Sequence, residues 1–158
     1  MKRALLIVAV VLVTIASASS QAQSSPLVGT WKLNLSKSTF DPGPGPTSLT
    51  RTVEAQGDGV KYTFSGVTAD GKTISYGFSV QFDGKDNPIN GSIPSGADTI
   101  SAKRIDSHHF VATLKKAGNV IGTSKVSVSK DGTSTTVGSS GTNAAGVKSH
   151  DVQIFDKQ

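Results

Sequence analysis

The chain has 158 residues, with 17 Gly, 6 Pro, one Trp and no Cys; 35% of residues are hydrophobic, 17% are charged, and the net charge is +5. The length fits one domain, and the lack of Cys excludes a disulfide scaffold, a thiolate metal site, a Cys nucleophile and a lipidated Cys anchor. Low charge together with nine aromatics argues against disorder, and abundant Gly, Ser and Thr with Glu54 as the lone Glu argues against a helical protein.

Residues 1–22 read as an export signal. Lys2 and Arg3 precede an apolar run from Ala4 to Ala16, and the small and polar residues Ser17 to Gln23 follow it. That is the order of a secretory signal peptide, with cleavage expected after Ala22. This run of 13 residues, apolar but for Thr14, would span only about 20 Å as a helix, short of a membrane's hydrocarbon core. No stable membrane insertion is expected. Residues 23–158 then form a single secreted or periplasmic domain. Without Lys2 and Arg3 it has 14 basic against 11 acidic residues, a net charge of +3. The lysines are scattered, with no basic stripe interleaved with aromatics, so no nucleic-acid partner is expected.

The domain reads as strands and tight turns. Gly29 to Leu35 forms the first. Phe40-Asp41-Pro42-Gly43-Pro44-Gly45-Pro46 then breaks the pattern, because proline lacks a donor and fixes φ. It is expected to be a stiff extended loop over one end of the sheet, with Phe40 tucked beneath it. Leu49, Arg51, Val53 and Ala55 mark a second strand. Val60, Tyr62 and Phe64 alternate with polar residues, as do Ile74, Tyr76, Phe78, Val80 and Phe82. Period-two alternation defines strands with one buried face. Strands 59–67 and 72–82 form a hairpin, with Asp70-Gly71 suited to a type I′ turn.

Further strands are expected over 99–105, 110–114, 120–129, 133–139 and 147–155, with Asn143-Ala144-Ala145-Gly146 linking the last two. About nine strands joined by short connections form an antiparallel meander. Closing the meander removes its exposed edges. The expected fold is therefore all-β, an antiparallel up-and-down barrel of about 8–10 strands; the alternative is a β-sandwich.

Leu27-Val28-Gly29-Thr30-Trp31-Lys32 resembles the Gly-x-Trp opening of the lipocalin (calycin) superfamily. Together with the run Phe40-Asp41-Pro42-Gly43-Pro44-Gly45-Pro46, then Phe82-Asp83-Gly84-Lys85-Asp86-Asn87-Pro88 and Lys103-Arg104-Ile105-Asp106, it is similar to a group of small, uncharacterised, exported bacterial proteins described as lipocalin-like. The resemblance covers roughly residues 27–157. It implies a barrel in which Gly29 and Trp31 are structural and Trp31 closes the bottom. Lipocalins proper carry a late Arg that packs on this Trp. Here the last Arg is Arg104, with only Lys148 and Lys157 near the end.

Motifs for chemistry are sparse. His108 and His109 follow the turn Asp106-Ser107 and face opposite sides of a strand, so they do not share an ion. Asp83 to Asn87 lacks calcium-loop spacing. No nucleophile elbow or phosphate-binding glycine loop occurs. No metal, cofactor or catalytic residue is assigned. The aromatic set Trp31, Tyr62, Phe64, Tyr76, Phe78, Phe82 and Phe110 should share the inner face, and Tyr62, Tyr76 and Phe78 are the expected walls of any cavity. The function expected is non-enzymatic binding of a small apolar ligand. The alternatives are an envelope structural or interaction protein with a filled core, and a barrel cyclase or isomerase marked by His109 or His150 beside an Asp in a deep pocket.

Overall fold

The computed structural model describes residues 25–142 and 145–158. The segment read as an export signal lies outside the described residues, as do Asn143 and Ala144 of the last linking turn. The described residues form eleven strands: β1 (Gly29–Leu33), β2 (Ser48–Gln56), β3 (Gly59–Val67), β4 (Thr73–Val80), β5 (Asn87–Pro88), β6 (Asn90–Ser92), β7 (Thr99–Arg104), β8 (His109–Lys116), β9 (Asn119–Val128), β10 (Ser134–Thr142) and β11 (Lys148–Lys157). A 3-10 turn at Leu35–Lys37 follows β1, and the Asn34 side chain caps it by accepting from the Lys37 backbone N–H at 3.2 Å.

The strands form one antiparallel sheet in the order β5-β7-β8-β9-β10-β11-β1-β2-β3-β4-β6. The pairing of the first strand with the last decides between barrel and sandwich. Trp31 pairs with Lys157 and Leu33 with Phe155, so β1 and β11 close the sheet. The two remaining edges, β5 and β6, lie in a single stretch of chain, residues 87–92. Asn87 and Pro88 pair with Ile100 and Thr99 of β7, while Asn90, Gly91 and Ser92 pair with Gly77, Tyr76 and Ser75 of β4. That stretch crosses from one edge to the other and makes a short seam in a nearly closed barrel.

The seam corrects the sequence reading, which saw no strand between 83 and 98. The residues there are rich in Gly, Pro and Asn and lack alternation, so no periodic signal announces β5 or β6. Their pairing is imposed by the two long edges they bridge. The hairpin is correctly placed but differs at both ends. In its loop Gly71 takes φ 83 and Asp70 does not share the positive φ, so the turn is not type I′. Thr68 instead accepts from the Gly71 N–H at 3.1 Å and donates its own N–H to Lys72 O at 2.9 Å. β4 stops at Val80 rather than at 82, because Phe82 itself adopts φ 58 and turns the chain.

Alternate residues of every long strand point inward. One end of the barrel is solid. Leu27, Trp31, Val53, Val60 and Phe155 there are each at most 1% exposed, and burying a side chain of this kind stabilises the fold by roughly 1.5–3 kcal/mol. Trp31 Nε1 donates to Leu27 O at 2.8 Å, which satisfies the one polar atom of the buried indole.

Candidate functional site

Above the solid end, the barrel holds a cavity of about 460 Å³, within the size range of small-molecule sites. The filled core of the structural-protein alternative is not what these residues build. Two walls differ in chemistry. The first is aromatic and comes from β3 and β4. Phe64 and Tyr76 stack at 4.4 Å with 11° between ring planes, and Tyr62 meets Phe78 at 4.9 Å. The register places these rings as cross-strand partners, Tyr62 opposite Phe78 and Phe64 opposite Tyr76. β7 and β8 extend the apolar surface with Ile100, Ala102, Phe110 and Leu114.

The facing wall, from β9, β10 and β11, is polar. Ser124, Ser139 and Asp151 occupy adjacent inward positions, and Gln153 follows. Ser124 Oγ and Ser139 Oγ share a hydrogen bond at 2.9 Å.

The proline loop covers the open end. Phe40, Pro42, Pro44 and Pro46 all line the cavity, alongside Thr68 and Ala69 of the β3–β4 loop. Phe40 packs against the core under the loop, as expected. Glycine at position 45 makes this possible, since a Cβ there would lie 2.3 Å from Phe40 Cδ2. The loop base is stitched to β11. Thr39 and Val152 exchange backbone hydrogen bonds at 2.8 and 2.9 Å, and Asp41 O accepts from the His150 N–H at 2.6 Å. The Asp41 N–H donates to Asp151 Oδ1 at 3.2 Å, which ties the loop to the polar wall.

Arg51 and Phe155 lie at the floor of the cavity, with Trp31 behind them. The guanidinium carbon of Arg51 lies 4.4 Å from the Phe155 ring centre and 5.6 Å from that of Trp31. Its Nη2 donates to Thr135 Oγ1 at 2.5 Å. Lys157 Nζ lies 5.1 Å from the Trp31 ring. A cation therefore packs on Trp31 although the late Arg of lipocalins is missing: Arg51 from β2 and Lys157 from β11 do so from its two cross-strand neighbours. Burial pushes the Arg51 pKa below its ordinary value, and Tyr62 and Tyr76 oppose that shift. Burial raises the pKa of both tyrosines, with the Arg51 charge opposing. At neutral pH the floor thus presents a cation near two protonated phenols.

Tyr62, Tyr76 and Phe78 all line the cavity. Gly29 and Trp31 sit at the closed end, Gly29 with φ 138 opposite Val53. Arg51 was missed as a site residue. Its signal was a charge at an inward position of an otherwise apolar alternation, between Leu49 and Val53. The polar wall was missed as well; Ser124 and Ser139 continue the inward registers of Val126 and Val137.

The histidines lie elsewhere. His109 Nδ1 is 2.8 Å from Asp106 Oδ2 on an exposed turn, and His150 Nδ1 is 2.8 Å from Ser140 Oγ on an exposed face. Neither lines the cavity, so the sign of a barrel enzyme, a histidine beside an Asp in a deep pocket, does not occur among the described residues. No group of three or more His, Asp or Glu placed to hold a metal occurs among them either.

No protein-family profile and no curated protein matches the chain. Solved structures similar to it are β-barrels. Zebrafish ileal bile acid-binding protein complexed with cholic acid aligns with TM-score 0.49 and 12% identity, over 85% of this chain and 100% of that one. The redesigned β-barrel mFAP0 bound to DFHBI aligns with TM-score 0.47 and 16% identity, over 84% and 99% of the two chains. The related design mFAP1, also bound to DFHBI, gives TM-score 0.44 and 14% identity, over 84% and 95%.

Proposed function

We propose that this protein is an exported, non-enzymatic binding protein that holds one small amphipathic molecule inside its barrel. The observation that carries the reading is the cavity of about 460 Å³, with an aromatic wall on one side and a hydroxyl-rich wall on the other. An apolar face of the ligand lies on Tyr62, Phe64, Tyr76 and Phe78. Its polar substituents meet Ser124, Ser139, Asp151 and Gln153. Desolvating the aromatic wall supplies affinity, at roughly 25 cal/mol per Å² of apolar surface removed from water. The hydroxyls fix orientation, because an unmatched polar group at a buried wall costs about 1–3 kcal/mol. The proline loop shields the bound molecule from solvent.

Export rests on the order of residues 1–22, and cleavage after Ala22 would leave residues 23–158 as the working domain. The N-terminal mass of protein recovered outside the cytoplasm tests this, and a retained Met1 refutes it. Binding is tested with the neutral dye Nile red. Saturable one-to-one binding is expected, abolished by Ala112→Phe, which fills the cavity from β8. Absence of saturable binding overturns the reading.

A further inference from the structure

Arg51 is the only buried charged residue among the described residues, at 3% exposure. A buried cation is costly unless it is paired. No carboxylate lies within ion-pair distance of it among the described residues, and its Nε is sealed from solvent without a partner. Nη2 is taken by Thr135. Nη1 has no hydrogen bond among the described residues and is not among the sealed atoms, and Arg51 lines the cavity, so this donor is left to whatever occupies it. The rings of Phe155 and Trp31 hold the guanidinium in place without neutralising it. Tyr62 and Tyr76 line the same cavity, and no hydrogen bond of either hydroxyl occurs among the described residues.

We infer that the floor of the cavity is an anion site: the bound molecule is an amphipathic carboxylic acid whose carboxylate accepts from Arg51 and the Tyr62 and Tyr76 hydroxyls while its apolar part rises along the aromatic wall. This rests on the reading of the barrel as a binding protein and adds the charge of the ligand and its direction. The head points to the closed end and the tail to the proline loop. The anion supplies the charge that no carboxylate among the described residues brings to Arg51. A charge-assisted hydrogen bond in a dry site is worth more than a neutral one, so a carboxylate should be preferred to an alcohol of equal length.

The experiment is displacement of Nile red from the wild-type protein at neutral pH by decanoate, decanol and decyltrimethylammonium. Decanoate is expected to bind about tenfold more tightly than decanol or better, and the cation most weakly. Arg51→Met should collapse the preference for decanoate, and Lys157→Met, which alters the cation on the indole but not the cavity lining, should leave it intact. If Arg51→Met does not fold, the wild-type series decides alone. Bound Nile red with decanoate no better than decanol overturns the anion site and leaves the binding reading standing. No saturable Nile red binding removes both.

Discussion

The guanidinium of Arg51 lies over the ring of Phe155 at 4.4 Å, and Thr135, the cross-strand partner of Phe155, accepts a hydrogen bond from the same guanidinium. One register position on β10 and β11 therefore supplies both the face and the acceptor that hold a buried cation. Removing the acceptor leaves Nη2 unsatisfied in an apolar setting. Thr135→Val is expected to cost about 1–3 kcal/mol in urea unfolding. In an Arg51→Met background the same change should be close to neutral, because no donor is then stranded. Equal cost in the two backgrounds would show that Thr135 acts independently of Arg51.

Acid should weaken the fold through its turns. The Asp70 carboxyl is held down at about 2 by hydrogen bonds from Lys72 and Thr68. Asp83, Asp106 and Asp131 are lowered too, chiefly by the Lys85 backbone N–H, the His108 backbone N–H and the Ser129 hydroxyl respectively. A folded-state pKa below the unfolded value means that the stabilisation is present above the unfolded value and is lost as pH falls. For Asp70 the window runs from 3.8 down to about 2. The thermal midpoint should decline across it, and combining Asp70→Asn, Asp83→Asn, Asp106→Asn and Asp131→Asn should flatten the decline. An unchanged slope in that variant would mean that other carboxylates govern acid unfolding.

The contact between Phe40 and Gly45 makes the proline loop a cover that can be tested. Alanine at 45 would set its Cβ against the Phe40 ring, so Gly45→Ala should expel that ring. The overpacking cost of about 1–3 kcal/mol would fall on the closed loop rather than on the barrel. Nile red dissociation, followed by stopped flow, should accelerate about tenfold while the global unfolding midpoint moves little. Phe40→Ala should accelerate release similarly, and the double variant should add little to it. Unaltered release in Gly45→Ala would make the loop a spacer.

Most of the barrel was legible because a half-buried strand carries its own signature. The alternation in β3 and β4 placed Tyr62, Tyr76 and Phe78 on the inner face without any knowledge of their partners. Closure was legible only as a preference, since nothing in Trp31 or Lys157 announces that they pair. The seam was illegible, because residues 87–92 pair through backbone groups and place no periodic apolar side chains. Arg51 illustrates a different limit. Its position in the apolar register was visible, but the ring beneath it and the acceptor beside it come from residues about a hundred positions away.

Gly91 is where the seam should fail. It takes φ 93, and a Cβ on it would lie 2.3 Å from Ser75 O, a backbone atom of β4 that cannot swing aside. A β-branched residue there meets both the left-handed backbone and the clash. Gly91→Val should cost about 1–3 kcal/mol and detach β6 from β4, leaving the ladders β1–β4 and β7–β11 intact. Hydrogen exchange should then quicken at residues 75–77 while β10 and β11 stay protected. The freed edge of β4 should also promote self-association at high concentration. Gly132→Ala separates the two causes, since Gly132 has φ 69 but no atom within 4 Å of a built Cβ. It should lower stability without touching exchange in β4. If Gly91→Val leaves residues 75–77 as protected as before, the barrel is closed there by something other than the β4–β6 pairing.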